Sequence, residues 1–239
     1  MTMTTFETEE LSQRRAAVIA GLATLAMAGC AAFAVGFVNG ALLVKGDADA
    51  TAGNITRSLA LFRSGIFAWL VILVCDILVS FALYSFLKQA DSSLALLGAW
   101  FRLIYCAILG VALLNLVYVL LIAGGDGALA AAGVNAQVML YVEAFDKMWS
   151  FGLIVFGLHL LVIGKLVLKS GFIPGILGLL LLVAAAGYII VHSLDMFFPQ
   201  AQAVTAILEN ILSLPMALGE LAFGVWLLLK GGKVPKAAA

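Results

Sequence analysis

Six long stretches of the chain carry almost no charge, and polar segments separate them. An α-helix needs about 20 mostly apolar residues to cross a hydrocarbon core of roughly 30 Å. Read in such windows, the sequence predicts helices near 16–38, 59–87, 94–123, 148–169, 172–193 and 205–229. The second and third exceed one span and are expected to tilt or project. Segment 39–58, with Lys45, Gly46, Asp47, Asp49 and Asn54, reads as a polar connection, and segment 124–147 opens on the turn-rich run Gly124-Gly125-Asp126-Gly127. Residues 88–93 and 170–171 are tight connections, so helices two and three, and four and five, are expected to be antiparallel neighbours. The predicted fold is all-α: a polytopic transmembrane bundle of about six helices over 16–230, with tails at 1–15 and 231–239.

Composition points the same way. Hydrophobic residues make up 64% of the 239 and charged residues 11%, where a soluble domain has roughly 25% charged, and the mean hydropathy is +1.17. A soluble fold has no place to hide so much apolar surface, so the lipid bilayer is the expected solvent and first partner. Net charge is zero and no basic run exceeds two residues, which argues against nucleic acid as a partner. Cys30, Cys75 and Cys106 all lie in apolar runs without a C-x-x-C pair, and read as small hydrophobes. Stretch 16–38 is longer than a signal-peptide core of about 7–15 residues, and Glu7, Glu9 and Glu10 sit where a signal is basic, so a retained first helix is expected. With six spans, one side receives nine of the 13 Lys and Arg residues and the other four, which predicts both termini in the cytoplasm.

Ionisable residues inside the spans are the informative ones, because a charge at the bilayer centre costs roughly 2.5–3.5 kcal/mol on insertion scales. Asp76, Arg102, His159 and Glu220, on helices two, three, four and six, all fall about 12–17 Å from the same ends of their helices. Asp76, Ser80, Tyr84 and Lys88 form one i+4 stripe, and Glu209, Ser213, Met216, Glu220 and Gly224 trace another past Pro215, a kink site. Gly152, Phe156 and His159 share a side of helix four, as do Arg102, Tyr105 and Cys106 on helix three. These stripes can converge on one interior cavity. Two readings fit the layer. In one, Arg102 pairs with Asp76 or Glu220, and the network only fixes packing. In the other, Asp76, Arg102, His159 and Glu220, with Tyr84 and Tyr105, bind a small polar ligand or relay protons.

A shallower set lies toward the opposite face: Arg57, Arg63, Asp146 and Lys147, which read as anchors at the water boundary or as a substrate gate and of which Arg63 and Asp146 can form an interfacial pair, with Trp149 and Tyr141 suited to an aromatic belt. Other chemistries lack their residues. His159 and His192 lie at different depths and do not make a bis-histidine haem pair. No zinc spacing, phosphate-binding glycine loop or G-x-S-x-G elbow is present. No catalytic residue, metal or cofactor is therefore assigned. The Gly36-x-x-x-Gly40 and Gly171-x-x-x-Gly175 spacings permit close helix approach, and in so glycine-rich a chain carry little weight for dimerisation.

The runs GDADATAGNI (46–55), DILVSFALYSFLK (76–88), LALLGAWFRLIYCAI (94–108), WSFGLIVFGLHLLVIGKLVLKSGFIPGILGLLL (149–181) and ELAFGVWLLLKG (220–231) resemble the bacterial multi-pass membrane family catalogued as domain of unknown function 4386. The resemblance covers about residues 14–231 and implies a six-helix inner-membrane protein without naming an activity. The leading expectation is a binding, transport or accessory component built round a buried polar layer. Its rivals are a small-solute or proton-coupled transporter, a membrane enzyme on a lipid-like substrate with His159 and Glu220 as acid and base, and a structural subunit held by a membrane protein partner.

Overall fold

The computed structural model describes residues 12–125 and 133–232. The predicted tails, Asp126 and Gly127 of the glycine-rich run, and Lys233 and Lys236 lie wholly or partly outside the described residues. Among the described residues the structure is helical, without strands. Helix α1 spans Gln13–Ala31, continues as a π-helical stretch Ala32–Asn39 and ends in the turn Gly40–Leu42. A short α2 (Ala48–Arg57) follows, then α3 (Leu59–Leu87), α4 (Ser92–Gly124), α5 (Val134–Ser170), α6 (Gly175–Phe197) and α7 (Gln202–Lys230). Six helices, all but α2, are long and apolar enough to cross a membrane.

The helix boundaries follow from local chemistry. Ser12, Asp47 and Asp91 cap α1, α2 and α4, each side chain accepting a backbone N–H three residues on. Gly133 and Gly171 take left-handed backbone at the two ends of α5, a conformation open to glycine at no steric cost. Pro174 then fixes the entry to α6. Arg14 reaches from α1 to the end of α7, donating from Nη1 to the Gly231 carbonyl at 2.9 Å and from Nη2 to Leu228 O at 2.8 Å. Its charge sits where the dipole of α7 is negative.

Each spanning helix packs against its neighbours in sequence, and α1 packs against α7, so the six close into a ring in the order α1, α3, α4, α5, α6, α7. Short connections make the neighbours antiparallel, and the start of α1 and the end of α7 fall at the same end of the ring. The helix α2 lies at the other end, against α5, with Thr51, Ala52 and Ile55 buried. Side chains that face outward form an apolar girdle, among them Phe67, Phe81, Trp100, Leu121 and Ile211, as a lipid-facing surface requires.

Three expectations change. The fourth spanning helix begins at Val134 rather than 148, because charge at Glu143, Asp146 and Lys147 lowers hydropathy without stopping a helix whose Val134, Val138, Val142 and Phe145 still face inward. The connection 39–58 contains α2, whose amphipathic face rather than its mean hydropathy makes it a helix. The glycines of close approach are not those of the two sequence spacings: nothing lies within 4 Å of a Cβ built at Gly36 or Gly40. Instead a Cβ at Gly157 would stand 2.7 Å from Ile189 Cγ1, and one at Gly164 or Gly178 would stand 3.0 Å from the other's carbonyl. These contacts hold α5 tightly to α6.

Candidate functional site

The antiparallel hairpins bring the polar layer together. Asp76 stands eleven residues before the end of α3 and Arg102 ten after the start of α4, so the tight turn sets them at one depth. His159 lies eleven residues from the end of α5, and Glu220 ten from the end of α7. Arg102 Nε and Nη2 both donate to Asp76 Oδ1, at 2.9 and 2.6 Å. Arg102 Nη1 donates to His159 Nε2 at 3.0 Å, and His159 Nδ1 gives its hydrogen to the Gly98 carbonyl at 2.8 Å. That carbonyl accepts only, so the tautomer is fixed: Nδ1 carries the hydrogen and Nε2 is the acceptor. The guanidinium also lies over the Phe156 ring, 5.2 Å from its centroid. Asp76, Arg102 and His159 are all buried, and together tie α3, α4 and α5.

Glu220 stands apart from this network. Its Oε1 accepts a hydrogen bond from Tyr188 Oη at 2.8 Å. The second oxygens of Glu220 and Asp76 have no hydrogen-bond partner among the described residues, yet no buried side-chain polar atom is left unsatisfied. Both oxygens therefore open onto free space. That space is a cavity of about 310 Å³ on the axis of the ring, at the small end of the range for ligand sites. All six spanning helices line it. Asp76 and Arg102 form part of its wall, with Trp69, Tyr105, Trp149, Phe156 and Tyr188 as aromatic panels and Met27, Ile72 and Leu221 between them.

The cavity opens to one side. Its lining residues on α3 and α4 are buried, whereas Thr24, Met27, Ala28 and Ala31 of α1 and Glu220 and Leu221 of α7 are half-exposed, and Ala217 is exposed. At the chain-end side α1 and α7 touch closely: a Cβ at Gly21 would stand 2.8 Å from the Gly224 carbonyl. Farther along, the residues of α7 from Gln202 to Leu214 are mostly exposed, so the mouth lies between α1 and α7 at the lipid surface. Toward the α2 end, Trp69 packs edge-on against Phe145 and Trp149, with centroids 5.1 and 4.8 Å away. Beyond this partition lies a water-sized chamber of about 10 Å³, bounded by Asn39, Leu43, Trp69, Phe145 and Asp146. The π-helical stretch of α1 runs beside it.

The remaining sequence candidates lie elsewhere. Tyr105 joins the cavity, its hydroxyl accepting from Trp149 Nε1 at 3.3 Å, so Trp149 is a cavity wall rather than a belt residue. Tyr84 is half-buried against the core and does not line the cavity. Glu209 and Ser213 are exposed, whereas Met216 and Gly224 of the same stripe are buried, because after Thr205 α7 turns inward only from Met216 on, through Gly219, Phe223, Gly224 and Leu227. Arg57 is exposed and donates to Asn54 Oδ1 at 2.8 Å. Among the described residues no ion pair joins Arg63 to Asp146; both are exposed, on helices that are not neighbours in the ring. Lys147 instead pairs with Asp195 at 2.6 Å.

That pair continues into a cluster the sequence did not signal. Ser150 Oγ donates to Asp195 Oδ2 at 3.0 Å and lies 2.9 Å from His192 Nδ1. The residue types are those of a hydrolase triad, but the order is not, since serine sits between the acid and the histidine. With its one proton given to Asp195, Ser150 can only accept from His192, and the three clamp α5 to α6. Among the described residues no group of three His, Cys, Asp or Glu comes together as a metal site. On the outer face, Ile104, Val111, Phe151 and Met196 line an apolar groove of about 680 Å³ with no polar wall.

Comparison with known proteins agrees with this architecture. A family model described as "Domain of unknown function (DUF4386)" matches residues 19–231. An uncharacterized protein of Archaeoglobus fulgidus is 30% identical over 164 residues, which cover 69% of this chain and 82% of that one. No solved structure matches the chain. With the family model spanning all six long apolar helices, the chain belongs to the DUF4386 family of multi-pass membrane proteins.

Proposed function

We propose that this protein binds a small lipid-soluble organic molecule in the cavity on its axis, as a binding or carrier component of the membrane. The observation that carries this reading is the combination in one cavity of aromatic walls, two carboxylate oxygens free of protein partners, and a mouth between α1 and α7 at lipid depth. An apolar pocket with a few convergent polar groups is the usual form of a small-molecule site. The Asp76–Arg102–His159 network forms its rigid polar floor, and Glu220 and Tyr188 face the ligand. The expected setting is a cell inner membrane with both termini in the cytoplasm, supported by the nine-to-four bias of basic residues.

The test uses Trp69 and Trp149, which line the cavity. Titration of the protein in lipid nanodiscs with 2-phenylethanol is expected to change tryptophan fluorescence saturably, beyond the partitioning seen with empty nanodiscs. Ala217→Phe, at the mouth, is expected to abolish the saturable part. A linear response, or one that Ala217→Phe leaves unchanged, contradicts the reading.

Transport is favoured over static binding by one observation, the second chamber across the Trp69–Phe145–Trp149 partition. With the three native cysteines replaced by serine, Ile72→Cys on the cavity wall is expected to react with a membrane-impermeant thiol reagent from both faces of a vesicle. Reaction from one face only, or from neither, argues against a carrier.

A further inference from the structure

The groups that face the cavity without a protein partner are acidic. Arg102 is the one cation in its wall, and three of its five N–H donors are used, Nε and Nη2 on Asp76 and Nη1 on His159, while Nη2 also lies 4.0 Å from the Met27 sulfur. Asp76 balances that charge. His159, with its hydrogen on Nδ1 and its Nε2 accepting, adds none. What is left is the Glu220 carboxyl, whose protein partner among the described residues is the neutral hydroxyl of Tyr188. The free oxygen of the buried Asp76 points into the same space. A charge taken into a low-dielectric site needs a partner of opposite sign, so an entering anion meets two acceptor oxygens and a guanidinium already paired with Asp76, whereas an entering cation meets its counter-charge.

The walls fit a cation of one kind. Tyr188, which holds Glu220, packs edge-on against Phe156 with centroids 5.3 Å apart, and Phe156 lies 5.1 Å from Tyr105. The three rings thus run in sequence along the cavity wall from the carboxyl, with the Arg102 guanidinium already over Phe156 and the two tyrosines at either side of it. Ring faces attract an organic ammonium and do so more strongly once water is excluded. A small inorganic cation would need several oxygen ligands at short range, which this mostly apolar wall does not offer. We propose that the molecule taken up in this cavity is an organic monocation with an apolar body, an ammonium-type amphiphile entering from the bilayer, with Glu220 as its counter-charge and Tyr105 and Tyr188 as its aromatic walls. The proposal rests on the reading of the cavity as a ligand site.

The experiment compares three probes of similar size in nanodiscs, after subtraction of partitioning into empty discs: benzyltrimethylammonium, 2-phenylethanol and phenylacetate. The expected order is the ammonium at least tenfold tighter than the alcohol, with phenylacetate weakest. Glu220→Gln is expected to lower ammonium binding at least tenfold relative to the alcohol, with its thermal midpoint in nanodiscs showing that the variant is folded; Glu220→Asp keeps the preference. Equal binding of ammonium and alcohol by the wild-type protein overturns the proposal and leaves the cavity reading standing, as does a preference that survives Glu220→Gln. Tightest binding of phenylacetate overturns it by making Arg102 the reader of charge. Binding of none of the three removes the cavity reading as well. The wild-type order alone decides the sign, so the result does not depend on the variant's stability.

Discussion

A guanidinium buried among helices has to find its acceptors inside the protein, and Arg102 takes them from α3 and α5 at once. Removing it leaves Asp76 as a buried charge without a partner, a loss of about 3–5 kcal/mol in comparable sites. Arg102→Met is therefore expected to destabilise by that amount in SDS titration of mixed micelles, and the double variant Asp76→Leu/Arg102→Met to recover most of it. Equal loss in both would mean that the pair is not the source. At the turn between α3 and α4, the Asp91 carboxyl is held below its usual range, first by the backbone N–H of Leu94 and then by Lys169 at 2.7 Å. A carboxylate favoured in the folded state contributes stability above its unfolded pKa of about 3.9 and loses it as pH falls through the lower folded value. The advantage of wild type over Asp91→Asn is expected to be constant near neutral pH and to vanish in that acid range. The common depth of Asp76, Arg102, His159 and Glu220 was legible in the sequence, because hairpin lengths set depth directly. Which acid Arg102 would choose was not, because that depends on the rotation of α3 and α7 about their axes. Tyr188 and Trp149 were missed or misplaced for a related reason: an aromatic residue in an apolar span looks the same whether it faces lipid, core or cavity.

At the scale of helices, the seam between α5 and α6 depends on missing side chains. A methyl at Gly157 would press on Ile189 and on the Ala185 carbonyl, 3.1 Å away, and overpacking of this kind costs about 1–3 kcal/mol. Gly157→Ala is expected to lower the thermal midpoint in nanodiscs, while Gly29→Ala, with nothing within 4 Å of its new methyl, is expected to be neutral or stabilising by up to about 1 kcal/mol. Similar effects at both positions would contradict the packing described. Five of the six long helices were placed by hydropathy to within a few residues, since an uncharged run has no other stable form in lipid. The early start of α5 and the existence of α2 escaped the same reading. Both were present as periodicity instead, in Val134, Val138, Val142 and Phe145 and in the Asp47 cap ahead of Ala52 and Ile55. A window tuned to the bilayer passes over amphipathic helices at its edge.

For the whole molecule, a ring closed by its first and last helices encloses a space that no single hairpin defines, and so the cavity could be anticipated only as a convergence of stripes. Its even number of spans puts the start of α1 and the end of α7 on one side, expected to be the cytoplasm. A fluorescent protein fused at the C-terminus is expected to be bright and a periplasmic phosphatase fused there inactive; the reverse would invert the assignment. The most direct test of the central claim is a crystal structure grown in a lipid mesophase and soaked with 2-(4-bromophenyl)ethanol, whose bromine marks its position by anomalous scattering and whose neutrality keeps the result independent of the sign of the ligand. The account predicts a bromine peak inside the ring, between Phe156, Tyr188 and Glu220. A peak confined to the outer groove at Ile104, Val111, Phe151 and Met196, or no peak at all, would contradict it.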